Sequence, residues 1–280
     1  AVGAVSGNED TAITFGTAVT VTKADTDGSE WISAYEISAF PAGWAVAFDG
    51  NAAVTVTGTA NGPYTLTIAG QTDVAALEAV LDSFRVTPPV HADADAGITI
   101  RAQSTDTGGS TAWSSAQALS VVVDPVSYAP TLSATALTVN EDTSATFGNL
   151  ITWTKPDTDG SERISRVELS GLPTGTGSSV TWAVAGGAAV TSDGLGGYVI
   201  SGPSEAGIRA TLDSFAVRAP SNSDAGFTIT ARAQTIDGTA AASALASTTL
   251  AVTVTAVADA PGVAVGAVSG NEDTAITFGT

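Results

Sequence analysis

Residues 7–17 read "GNEDTAITFGT", and the same eleven letters stand again at 270–280. Extended leftward, "AVGAVSGNEDTAITFGT" occupies both 1–17 and 264–280 without a difference, at an offset of 263 residues. Identity over such a separation marks a repeat boundary. A fainter half-period lies inside it. "NEDTAITFG" at 8–16 answers "NEDTSATFG" at 140–148, and "ADTDGSEWIS" at 24–33 answers "PDTDGSERIS" at 156–165, both offset by 132. "LDSFRV" at 81–86 with "LDSFAV" at 212–217, "RAQSTD" at 101–106 with "RAQTID" at 232–237, and Pro130 with Pro261 follow at an offset of 131. Because the order is preserved, these are homologous modules: 1–128, 129–260, and 261–280 as the first strand of the next repeat. Alternate modules agree while neighbours differ, an arrangement that disfavours strand swapping between adjacent units during folding. The length of 280 residues suits two modules, each large enough to bury its own core.

Within each module the apolar residues recur with a period of two. They run through Ile13, Phe15, Val19 and Val21, through Tyr64, Leu66 and Ile68, through Ile98 and Ile100, and through Leu119, Val121 and Val123. The second module repeats this at Phe227 and Ile229 and at Leu250, Val252 and Val254. Threonine fills most alternate positions, so the pattern predicts half-buried strands with a solvated outer face. Turn clusters such as "DTDGS", "ANGP" and "SNSDAG" separate them. About seven short strands per module predict a β-sandwich. The exception is "TDVAALEAVLDSF" at 72–84, where Val74, Leu77 and Leu81 follow helical spacing behind Thr72 or Asp73; Ser204 to Leu212 is its counterpart. Trp44 and Trp182 share a "WAVA" context and read as core tryptophans, whereas Trp31 and Trp113 have no aromatic counterpart and read as exposed contacts.

Composition narrows the function. There are 28 acidic residues against 9 basic ones, a formal charge of −19 that repels phosphate backbones and anionic lipids and so argues against nucleic acid as a partner. The same imbalance pushes a compact fold apart unless cations bind it, and divalent metal ions are the natural candidates. No apolar run approaches the 18 or so residues of a membrane-spanning helix, which argues against membrane insertion. With no cysteine there is no disulfide, thiolate zinc site or cysteine nucleophile. The single histidine, His91, lies in "PPVHADADAG" and reads as a solvated loop residue, not a catalytic base; the second module has no histidine to match it. No G-x-S-x-G elbow occurs. A glycosidase needs only two carboxylates, but 6% aromatic residues provide no sugar-stacking cleft. No enzyme is expected, and a glycan-binding or glycoside-cleaving module is the weakest reading.

The carboxylates themselves sit at matching places: Glu9 and Asp10 with Glu141 and Asp142; Asp25, Asp27 and Glu30 with Asp157, Asp159 and Glu162; Asp106 with Asp237. Calcium takes six to eight oxygens from flexible loops, and D-x-D offers two side chains on one side of a turn. The "DTDG" motif does not complete an EF-hand, so a solvated acidic surface is the alternative.

These motifs occur in a particular order. Pro130 in an Ala-Pro linker is followed by Glu141 and then by Asp157 and Asp159, an order that resembles the calcium motifs of cadherin repeats. "EDT", "DTDGSE", "VTPP", "DADAGITI" and "VTAVADAP" resemble more closely the cadherin-like (Ig-like) tandem modules of giant RTX-type adhesins that bacteria export by type I secretion. The resemblance implies an all-β chain of tandem Ig-like/cadherin-like Greek-key β-sandwiches arranged as an elongated rod, with calcium at the module junctions. It implies an extracellular location at a bacterial cell surface and a role as spacer or stalk, with neighbouring modules and other copies of the protein as partners. Carried over by position, the first junction would draw on Glu9 and Asp106 from one module and Asp157 and Asp159 from the next. Asp25, Asp27, Glu141, Asp237 and Glu272 are the matching positions in other modules. The family's linker aspartate appears as Asp259 in "ADAP", while the first linker has Tyr128 there and Asp124 as a substitute. The acidic motif after a strand survives only as "LDSF", at Asp82 and Asp213. The competing reading is a self-associating module of a filament, surface layer or biofilm matrix, with Trp31 or Trp113 and the sheet edges as contacts.

Overall fold

The computed structural model describes residues 3–25 and 27–277. The first half runs β1 (Ala4–Asn8), β2 (Ile13–Thr14), β3 (Glu30–Ile37), β4 (Ala45–Ala47), β5 (Val54–Gly58), β6 (Tyr64–Ile68), α1 (Val74–Asp82), β7 (Arg85–Thr87), β8 (Ala96–Asp106), β9 (Thr111–Trp113) and β10 (Gln117–Asp124). The second runs β11 (Thr131–Ala134), β12 (Leu137–Asn140), β13 (Ser144–Thr146), β14 (Ile151–Thr154), β15 (Glu162–Ser170), β16 (Ser179–Thr181), β17 (Ala189–Ser192), β18 (Tyr198–Ser201), α2 (Glu205–Asp213), β19 (Ala216–Arg218), β20 (Phe227–Asp237) and β21 (Ala246–Thr255).

Each half is a sandwich with its own core, so the all-β expectation holds. The large sheets have the orders β1-β10-β8-β3-β6-β5, with β9 added to β8, and β12-β21-β20-β15-β18-β17. The small sheets are β2-β7-β4 and β13-β19-β16. The alternation read in the sequence is the alternation of burial: along β8 the residues Ala96, Ile98, Ile100 and Ala102 point inward, and along β10 Leu119, Val121 and Val123 do the same. Among the described residues only β1 on β10 and β12 on β21 pair in parallel; the other ladders are antiparallel.

The predicted helices are present. α1 follows a short 3-10 turn at Gln71–Asp73 and buries Leu77, Val80 and Leu81. α2 is capped by the Ser204 hydroxyl, which accepts the Gly207 N–H, and buries Ile208 and Leu212. The repeated "LDSF" is thus a helix end followed by a core phenylalanine. Phe84 stacks on Phe48 at 4.7 Å and receives the edge of Tyr64; Phe215 stacks on Trp182 at 5.4 Å and receives the edge of Tyr198. Asp213 is occupied by an i,i+4 ion pair with Arg209 at 3.5 Å.

Three expectations need adjustment. The period predicted through Val19 and Val21 breaks after β2 at a 3-10 turn, Gly16–Ala18, and no strand follows over 20–24; the matching Ile151–Thr154 is a strand because β11 pairs with it. Trp44 is a core residue, but Trp182 is 38% exposed even though it stacks on Phe215. Residues 261–277 carry no strand although their letters form β1 and β2 at the start of the chain, and Val263 and Val265 stand open to solvent. A strand needs a partner ladder, and none lies beside this segment among the described residues. Residues 1, 2 and 278–280 of the two identical stretches lie outside the described residues. No described helix is long and apolar enough to cross a membrane.

Candidate metal centre

The parallel pairing of β1 with β10 brings the end of β1 to the end of β10. Asn8 lies opposite Asp124, and the Glu9 N–H donates to the Asp124 carbonyl at 3.0 Å. Asp10 follows with φ 58°, a left-handed turn that aspartate tolerates better than most residues. From here residues 125–130 cross to the second sandwich, pinned to both sides. The Val126 N–H donates to Glu9 Oε1 at 2.6 Å, the Asp237 N–H donates to the Ser127 hydroxyl at 2.8 Å, and the Tyr128 N–H donates to Glu162 Oε1. The Thr235 hydroxyl closes the set on the Tyr128 carbonyl.

Glu162 opens β15 and Asp237 ends β20, directly opposite each other in register. Asp157 lies in the loop before β15, its Oδ1 accepting the Asp159 N–H at 2.9 Å. Carboxylate oxygens of Glu9, Asp157 and Asp237 come within 4.8 Å of one another across the junction. All are shut away from water: Glu9 is 1% exposed, Asp157 4%, Glu162 1% and Asp237 0%. Five oxygens among them, Glu9 Oε2, Asp157 Oδ2, Glu162 Oε2 and both of Asp237, have no hydrogen-bond partner.

Burying ionised carboxylates without partners costs several kcal/mol each, and the site shows the strain electrostatically. Burial, with Asp237, Asp157 and Asp10 nearby, raises the Glu9 carboxyl to about 7. Burial first, and then neighbouring carboxylates, also raises Asp157 and Asp237. Asp93, from the loop before β8, is raised by burial and by the facing Asp159 and Asp237, which places it on the same junction. A cation would neutralise such a set. Hard, unpartnered oxygens from several loops suit calcium, which accepts six to eight of them in flexible geometry.

The predicted residues divide into groups. Glu9, Asp157 and Asp237 come together, and Asp159 adjoins them with its carboxylate on the Ser161 N–H at 2.8 Å. Asp106 does not join Glu9. β8 is antiparallel to β10, so Asp106 ends the strand at the opposite end of the first sandwich, opposite Glu30 and beside the loop of Asp25 and Asp27. Asp237 is its equivalent in the second sandwich and takes the place that the positional carry-over gave to Asp106. The set Asp25, Asp27, Glu30 and Asp106 is exposed or half-buried, whereas the matched Asp157, Glu162 and Asp237 are buried; the linker and Glu9 make the difference. Glu141 repeats the Glu9 contact by accepting the Val257 N–H, while Asp259 and Glu272 are exposed. The Asp124 side chain is exposed, and its backbone does the bonding.

The sequence reading did not place Asp10, His91, Asp93, Tyr128 or Glu162 among the ligands. Glu162 carried a signal in its match to Glu30. His91 carried none, since its loop is far from the junction in sequence. Its N–H donates to Asp10 Oδ1 at 2.8 Å and its ring meets the Tyr128 ring edge-on at 4.6 Å, while the Tyr128 hydroxyl donates to Asp10 Oδ2 at 2.6 Å. Burial opposes the charge of Asp10, but the hydrogen bonds from Tyr128 and His91 more than offset it and hold the carboxyl below its usual range.

No protein-family model matches the chain, and no curated protein matches it. Among solved structures it is similar to S-layer protein SbsC domains 4 and 5, at 18% identity and a TM-score of 0.25, with 60% of this chain and 68% of that one covered. SbsC domains 4–9 align at 17% identity and a TM-score of 0.26 over 66% of this chain, which spans 21% of that longer structure. Human protocadherin-24 EC1-2 aligns at 12% identity and a TM-score of 0.30, over 76% of this chain and 82% of that one. These are likenesses of fold alone; the reading of function rests on the residues of the junction.

Proposed function

We propose that the chain is a non-catalytic structural spacer of a large repetitive bacterial cell-surface adhesin, with modules at 1–128 and 129–260 and a further one opening at 261, and with calcium stiffening the junction between them. One observation carries this reading: buried carboxylates from both sandwiches converge with five unpartnered oxygens at the only linker that joins two described sandwiches. Calcium neutralises that charge when it binds. Glu9, Asp157 and Asp237 are its proposed ligands, with Asp159, Glu162 and Asp93 around them. The linker N–H groups of Val126 and Tyr128 hold Glu9 and Glu162 in place, so the two sandwiches lose their relative freedom when the cation is present.

A calorimetric melt in excess calcium and again in excess chelator tests this. A cation at a hundred times its dissociation constant adds about 2.7 kcal/mol, so the melting temperature should fall by several degrees on chelation. Coincident curves would remove calcium from the junction and leave the carboxylates without a function.

A second reading, self-association in a filament, surface layer or biofilm matrix, draws on the exposed apolar side chains Val90 and Leu195, at 77% and 83%. Light scattering over a range of concentrations would show growth of the particle on this reading and a constant monomer on the first.

A further inference from the structure

The histidine that the sequence suggested was solvated is instead built into the junction, and we infer that Glu9, Asp10 and His91 form a second cation site, selective for a borderline divalent metal such as zinc over calcium. The inference shares Glu9 with the calcium reading but does not require calcium to bind.

The geometry is already that of a ligand set. Donor atoms of the three residues lie within 4.8 Å of one another. His91 Nδ1 and Asp10 Oδ2 are 3.1 Å apart. Two donors held cis on one metal by bonds of about 2.1 Å stand about 3 Å apart, so the His91–Asp10 pair has the spacing of two ligands on one ion, and Glu9 completes the set by a small approach. His91 Nδ1 is shielded from water and makes no well-formed hydrogen bond, and Glu9 Oε2, on a side chain 1% exposed, is likewise without a partner. Glu9 belongs both to this group and to the all-oxygen group with Asp157 and Asp237.

The surroundings hold the ligands in place. His91 adopts φ 55°, and its own N–H ties it to Asp10, while Tyr128 packs against the imidazole and donates to the Asp10 carboxylate. Such outer contacts fix ligand orientation at metal sites. An imidazole nitrogen beside two carboxylates suits zinc, manganese or cobalt, whereas calcium has little use for nitrogen.

The second sandwich supplies an internal contrast. At the position of His91 it has Asn222, with nearly the same backbone at φ 53° but no imidazole. Its equivalent of Asp10, Asp142, is paired with the Arg218 guanidinium at 3.1 Å, and Thr87 stands where that arginine would be in the first sandwich. Where a fixed cation is built in, the histidine is absent; where the histidine is present, the fixed cation is absent.

The test uses the full chain, washed free of metal. Its single histidine gives one set of imidazole resonances, so each addition reads out directly at the site. Zinc chloride should shift or broaden them to completion near one equivalent and raise the melting temperature, while calcium chloride should leave them close to their starting positions. His91→Asn copies a residue that this backbone already accommodates at Asn222, and should weaken zinc binding at least about tenfold while leaving any calcium response in place. Zinc that leaves the imidazole resonances unmoved, or that binds His91→Asn as it binds the native chain, would overturn the inference. Both outcomes can be read whether or not calcium binds the junction.

Discussion

Replacing Phe215 with alanine is expected to cost the second sandwich about 3–5 kcal/mol, the largest single effect that the cores offer. The ring is fully buried, sandwiched between Trp182 at 5.4 Å and Phe147 at 6.0 Å, and receives Tyr198 edge-on. Alanine would leave a cavity bounded by three other rings and by α2, whose Leu212 is fixed against the same core. Each sandwich has its own core, so the loss should appear as an earlier transition for residues 131–255 with little change in the first. Denaturant unfolding of the native chain and the variant, followed by far-UV circular dichroism, would measure it. A loss below about 1 kcal/mol would mean that the stack is not a packing centre.

Without divalent ions, the protein should grow less stable as the pH rises from 5 to 8. Glu9 has a folded pKa of about 7 against an ordinary value of 4.5, because burial and the neighbouring carboxylates disfavour its charge. The native state therefore holds this proton more tightly than the unfolded chain does. Its stabilisation is complete below the ordinary value and is lost as the pH passes through the folded one. The loss amounts to roughly 2–3 kcal/mol, or on the order of 10 °C in melting temperature. Asp157, Asp237 and Asp93 are shifted the same way and add to it. Saturating calcium should flatten the slope, because the cation takes over what the proton did. A metal-free melting temperature that rises between pH 5 and pH 8 would contradict this account of the junction.

The sequence carried more of the fold than of the site. Period-two runs such as Leu119, Val121 and Val123 translate directly into β10, and helical spacing within 72–84 translates into α1, because both signals are local. The strand predicted through Val21 failed because strand formation depends on a partner, which β11 provides only in the second sandwich. For the site, matching positions between modules singled out Glu9, Asp157 and Asp237, which the fold brings together, but could not say which copy of each meets which. That depends on strand direction: the antiparallel pairing of β8 with β10 sends Asp106 to the far end, and the equivalent strand β20 brings Asp237 to the near one. Tyr128 looked like a defect in the linker. Its hydroxyl and ring instead organise Asp10 and His91, a role that becomes visible only once the loop before β8 is folded against the linker.

The parallel clasp of first strand on last has a mechanical consequence. Because β1 lies parallel to β10, the chain comes into the first sandwich at one end of this ladder and leaves at the other, and tension along the strands loads five residue pairs, Ala4 to Asn8 against Ser120 to Asp124, in shear. They must rupture together, whereas a hairpin pulled from its open end unzips one pair at a time. The second sandwich repeats the device with four pairs, Leu137 to Asn140 against Val252 to Thr255. Rupture under load follows the barrier to unfolding more than the equilibrium stability. Each unit is therefore built to resist being drawn out lengthwise, even where its calorimetric stability is ordinary.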